Sequence, residues 1–182
     1  MLRQSVYGRL GGYEYVNDAD RLGRDPAMRW IVGGKAIERG GASTSQMGRF
    51  ETELLSTNDN PATLANLSGV WIDAVHGRKP LKSIVLDMDG SVSPTHGDQE
   101  GTAYNGHFGC TCYHPLFVFN QFGDLERCVL RPGNVHSADG WKELLSPVLA
   151  RYSAKARPSI IRRRFRGDAA FAIPGLFDLL EA

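Results

Sequence analysis

No apolar run approaches the roughly 18 residues needed to cross a bilayer, and the opening MLRQSVYGRL lacks the basic-then-apolar plan of a secretory signal. No membrane partner is expected, and a cytoplasmic protein is. Cysteine is scarce. There are 3, an odd number, with Cys110 and Cys112 only one residue apart, so no disulfide framework is indicated. An excess of one charge is also missing: 21 Lys and Arg stand against 20 Asp and Glu, a net charge of +1. The whole chain therefore carries no polyanion-binding signature, and any such footprint must be local.

What is present is enough for a folded core, with 42% hydrophobic residues in a chain of 182. One local footprint qualifies. Between Arg151 and Gly167 lie Arg151, Lys155, Arg157, Arg162, Arg163, Arg164 and Arg166, with no acid among them. Such a stretch is either a solvated basic face or a stripe that tracks phosphates.

The chain divides by pattern into a helical segment, 1–79, and a mixed segment, 80–182. In the first, Leu2, Val6, Tyr7 and Leu10 and then Leu22, Met28 and Ile31 suggest short helices. The glycine-rich stretch GGKAIERGGASTS is a loop, and Ser45 is the expected cap of a helix through Leu55. Asn60-Pro61 opens a further helix whose apolar face is expected at Leu64, Leu67, Trp71 and Ala74.

From Lys82 the period becomes that of strands. SIVLDMD is expected as a buried central strand, with Val85, Asp87 and Asp89 on one face and Ile84, Leu86 and Met88 on the other. HFGCTCYHPLFVFN and LERCVLRPGN are expected strands joined at Gly123-Asp124. A helix capped by Ser137 follows, with Trp141, Leu144, Leu145, Val148, Leu149 and Tyr152 inward and Pro147 as a kink or restart. SIIRRRFR is the next strand, although arginines on both of its faces are foreign to a central strand. IPGLFDLLEA begins a last helix.

Two aspartates close two of these strands, Asp89 after KSIVLDM and Asp168 after SIIRRRFRG. Carboxylates gathered from neighbouring strand ends suit hard divalent cations, which activate water or a hydroxyl against a phosphodiester. The order strand, hairpin partner, third strand, helix, strand, helix predicts an α/β (α+β) fold with a ribonuclease-H-like mixed sheet. Its first and fourth strands would lie side by side.

The segments GYEYVNDADRLGRDPAM, IVLDMDGSVSPTHGDQEGTAYNGHFGCTCYHPLFVF, LRPGNVHSADG and FRGDAAFAIPGLFDLLEA together resemble the DDE transposases of bacterial insertion sequences. That resemblance implies metal-dependent nicking and strand transfer on double-stranded DNA, both transposon ends and target, in the nucleoid. It also implies two Mg²⁺ or Mn²⁺ ions about 3.5–4 Å apart. Asp89 carries over as the first catalytic aspartate and metal ligand, with Asp87 as the fallback, and Asp168 as the second. Asp87, one strand repeat away at about 6.7 Å, reaches only an outer shell. Arg162, Arg163, Arg164 and Arg166 are the candidate DNA contacts. A homodimer is implied for the full-length form. The family also uses a Glu on a helix well after the second Asp; only Asp178 and Glu181 follow Asp168 here, so a truncated, inactive copy is expected.

Two rivals arise from the same residues. Asp87-Met88-Asp89-Gly90-Ser91 also resembles the first motif of haloacid-dehalogenase-type phosphatases, with Asp87 as nucleophile and Asp89 as acid/base. Cys110, Cys112 and His114, with His107, suggest zinc, but the cysteines are too close for a standard knuckle. Buried thiols and a satisfied histidine are the expectation there. Tyr113, Phe117 and Phe119 alternate along one strand and are expected in the core.

Overall fold

The structure, a computed structural model, describes residues 1–57 and 59–181. The chain forms two compact units, Met1–Thr63 and Leu64–Ala182. The division therefore falls inside a helix, Asn60–Arg78, and not after residue 79 as the sequence pattern suggests. The physical reason is polar: from Ser68 onward this helix is tied to strand and helix partners of the second unit by hydrogen bonds and ion pairs.

The first unit contains helices α1 (Leu2–Leu10), α2 (Ala19–Leu22), α3 (Pro26–Val32), α4 (Ala36–Arg39) and α5 (Thr44–Arg49). A 3-10 turn precedes α2 and a π-helical run, Phe50–Leu55, continues α5. Its caps are local chemistry. The Asp25 carboxylate accepts from Met28 N at 2.8 Å with Pro26 at the first helical position, and Ser43 with Gln46 forms a capping box. Ser45 thus lies inside the helix that it was expected to cap. α1 also turns differently from its apolar pattern. It buries Gln4, Ser5 and Gly8 and leaves Val6, Tyr7 and Leu10 exposed. The Gln4 amide exchanges two hydrogen bonds with Ala42, Nε2 to O at 2.8 Å and Ala42 N to Oε1 at 2.7 Å, and so mimics a β-bridge.

The second unit takes most of the helix Asn60–Arg78, here α6, then β1 (Ser83–Gly90), β2 (Ser93–Pro94), β3 (Ala103–Asn105), β4 (Cys110–Tyr113), β5 (Leu116–Asn120) and β6 (Leu125–Val129). α7 (Trp141–Arg151), β7 (Arg162–Gly167), a 3-10 turn at Ala169–Phe171 and α8 (Pro174–Glu181) complete it. The main sheet has the order β6-β5-β1-β7, with β1 antiparallel to β5 and parallel to β7; β2, β4 and β3 make a small second sheet. This is the expected α/β arrangement with a ribonuclease-H-like strand order.

One face of the main sheet packs under α7. Ile84, Leu86 and Met88 of β1, Leu116 and Val118 of β5, and Leu144, Leu145, Val148 and Tyr152 are buried together. The burial pattern of β1 shows it buried on that face alone, because Val85 and Asp87 are half-exposed and Asp89 is exposed. β7 lies at the end of the strand order, and that resolves its arginines. It is an edge strand of six residues with Arg162, Arg163, Arg164 and Arg166 exposed.

Three further expectations change. HFGCTCYHPLFVFN breaks at His114-Pro115 into β4 and β5, which enter different sheets. Gly140, at φ 71, precedes α7 in place of a Ser137 cap, and α7 runs uninterrupted through Pro147. α6 buries Gly69, Ile72 and His76, while Leu64, Trp71, Val70 and Val75 are exposed.

Candidate functional site

The site begins with strand pairing. β1 and β7 run parallel with Asp87 opposite Arg166 and Met88 opposite Gly167. The next step along both chains is Asp89 beside Asp168, and Asp168 keeps an extended backbone (φ −72, ψ −178). Paired residues of neighbouring parallel strands face the same side, about 4.8 Å apart. Asp89 and Asp168 therefore each follow the last paired position of two adjacent parallel strands, and both residues are exposed.

Their partners differ. Asp168 Oδ1 accepts from Ala170 N at 2.9 Å, a cap on the 3-10 turn that fixes this carboxylate in place. None of the ion pairs among the described residues involves Asp89 or Asp168. Asp87, on the same face as Asp89, is taken up by Arg166, Nη2 to Oδ2 at 2.7 Å. That ion pair engages the carboxylate that the phosphatase alternative needs as its nucleophile.

The basic stretch is largely tied to the protein itself. Arg151 pairs with Asp73 and Glu126, both at 2.8 Å, and Arg157 pairs with Asp73 at 2.7 Å. Arg163 turns to the α7 side and donates to the carbonyls of Tyr152 and Arg157 at 2.6 and 3.0 Å. With Arg166 on Asp87, Arg162 and Arg164 are the exposed arginines left on the face that carries Asp89.

Sequence patterning did not reveal the buried polar network behind this. Glu126, inside the apolar run of β6, accepts from Asn120 Nδ2 (2.8 Å), Tyr152 OH (2.7 Å) and Arg151 Nη1 (2.8 Å). Gly69 lets Arg151 approach α6: a Cβ there would lie 2.4 Å from Arg151 Nη1. Burial and then Glu126 push the Tyr152 hydroxyl far above its usual range. Burial works against the Asp73 charge, but Arg151 and Arg157 prevail and hold its carboxyl below the ordinary carboxylate value. The available signal was a glutamate within an apolar strand pattern, whose burial demands a partner.

The zinc geometry does not form. β4 ends at Tyr113, and the His114 ring Nδ1 faces Val135 O at 3.3 Å. Burial, then Cys110, raises the Cys112 thiol above its ordinary value. Among the described residues, no three or more His, Cys, Asp or Glu side chains come together in a group that could hold a metal. Phe117 and Phe119 lie half-buried on the Asp89 face, their rings tilted 30° at 5.8 Å between centroids, and not in the core. No described helix is long and apolar enough to cross a membrane.

The sequence profile of the family described as "Transposase DDE domain group 1" matches residues 1–182. No curated protein and no solved structure matches.

Proposed function

Because the chain belongs to the transposase DDE domain family, we propose that Asp89 and Asp168 together hold a divalent cation, Mg²⁺ or Mn²⁺. With it they act on phosphodiester bonds of double-stranded DNA, at transposon ends and in the target. The parallel pairing of β1 with β7 supports this reading, since Asp89 and Asp168 each follow its last paired position, Met88 opposite Gly167. The donor set fits the ion. Both ligands offer hard oxygens, neither takes part in an ion pair among the described residues, and both are exposed.

Each residue has a distinct task. Asp168, pinned by Ala170 N, offers its second oxygen in a fixed direction. Asp89 supplies the unencumbered carboxylate. Asp87 keeps Arg166 in place beside the pair and stays outside the ligand set. Arg162 and Arg164, running down the same face of the edge strand, meet the DNA backbone as it leaves the site. A bound cation lowers the pKa of a coordinated water or hydroxyl and stabilises charge on the phosphate. Pairing of two DNA ends calls for a homodimer, and DNA binding places the protein with the nucleoid.

Isothermal titration of Mn²⁺ into the purified chain tests the assignment. Binding should be lost in Asp89→Asn and Asp168→Asn and retained in Asp87→Asn. Equal binding by all three variants would end it.

A further inference from the structure

Arg131 stands in the turn after β6, in the run 130–134, and is 6% exposed. Its guanidinium has no carboxylate partner among the ion pairs of the described residues. Backbone carbonyls surround it instead. Nε donates to His114 O at 2.8 Å, and Nη1 donates to His136 O, Ser137 O and Asp139 O at 3.4, 3.0 and 2.5 Å. The backbone doubles the link, with His114 N donating to Arg131 O at 2.8 Å and Pro132 bridging to Tyr113. Nη2 is buried with no hydrogen-bond partner.

A buried cation with one donor unanswered is an expensive choice for a turn, and an apolar side chain would fill the space at lower cost. Burial accordingly lowers the proton affinity of this guanidinium, with Asp139 opposing. What the arrangement achieves is a junction of three segments. A Cβ on Gly90 would lie 3.0 Å from His114 Nε2 and 3.7 Å from Arg131 Nη2. Gly90 is the residue after Asp89, it pairs with Leu116, and Ser91 N then donates to Pro115 O at 3.0 Å. The guanidinium thus sits directly behind the exit of β1. It joins the His114-Pro115 turn, to which Ser91 N is bonded, to the 136–139 loop that leads into α7.

We propose that Arg131 is the positioning residue for Asp89, clamping the end of β1 so that its carboxylate stays in the same row as Asp168. The proposal rests on the assignment of that pair as a metal site. Gly90 is part of the device, because any side chain there would press on the His114 ring and shift the strand end. Arg131 touches neither metal nor DNA; it acts through the backbone of residues 89–91.

Mn²⁺-induced broadening of the Asp89 and Asp168 amide signals in NMR spectra of the whole chain reads this out on folded molecules. Arg131→Lys keeps the charge but cannot reach both sets of carbonyls. It should weaken Mn²⁺ binding roughly tenfold, the scale on which supporting groups tune metal ligands. Glu126→Gln, in the separate buried network, should lower thermal stability and leave the Mn²⁺ response of the folded protein unchanged. Gly90→Ala keeps the Arg131 side chain but presses the strand end off the His114 ring and should weaken Mn²⁺ as well, so it decides the matter if Arg131→Lys does not fold. Wild-type Mn²⁺ binding in Gly90→Ala, or in a folded Arg131→Lys, overturns the positioning role alone. Absence of Mn²⁺ broadening in the wild type overturns the acid-pair assignment beneath it.

Discussion

Glu126 and Asp89 belong to strands of the same sheet, and the fold treats the two carboxylates in opposite ways. Glu126 is fully enclosed, and Asn120, Tyr152 and Arg151 all donate to it. Asp89 is exposed at a strand end with no ion-pair partner among the described residues. The first group ties α6, β6 and α7 together, and its charges are matched because burial makes an unmatched one costly. The second is left exposed to solvent at the end of β1. Identical chemistry is structural where it is satisfied and available for function where it is not.

The sharpest way to break this contrast is to unpair the buried group. Glu126→Ala takes one of its two carboxylates from Arg151, leaves the Tyr152 hydroxyl without its acceptor, and should cost about 3–5 kcal/mol of stability, read by urea denaturation. A loss below about 1 kcal/mol would mean that the network is not holding the unit together. Gly69→Ala drives a methyl group into the Arg151 guanidinium and should cost about 1–3 kcal/mol. Acid gives a third test. Asp73 titrates below its ordinary value when folded, so its contribution is present above the unfolded value of about 4 and is lost as pH falls through the lowered one. The stability gap between wild type and Asp73→Asn should therefore shrink on acidification below about pH 4. A gap that widens there would reverse the sign of the interaction.

The exposed cluster should answer differently. Arg166→Gln removes an ion pair whose side chains are 63% and 40% exposed, and should change stability by less than about 1 kcal/mol. Asp89→Asn should move it by no more than about 0.5 kcal/mol while abolishing metal binding. A large stability loss in Asp89→Asn would place that carboxylate with Glu126 as a structural group.

The alternation in SIVLDMD made the β1 faces legible, and the order of strands and helix foretold that β1 and β7 are neighbours. Side-chain demand was harder to see. α6 was expected to bury Leu64, Leu67, Trp71 and Ala74, yet it turns Gly69, Ile72 and His76 inward. Close approach by Arg151 and its charge partners outweighs an apolar stripe there. The basic stretch looked like a single surface feature until its partners were known. Arg151, Arg157, Arg163 and Arg166 answer to carboxylates or carbonyls supplied by other segments, which local patterning does not reveal. Arg131 escaped notice for the same reason, since its ligands are backbone carbonyls without a sequence signature.

The central claim is that Asp89 and Asp168 share a cation. Anomalous diffraction from crystals grown with Mn²⁺ and a short DNA duplex addresses it directly. The expected result is a peak between the two carboxylates, about 2.1 Å from an oxygen of each. Ordered Mn²⁺ elsewhere on the protein, with the two side chains turned apart, would contradict it.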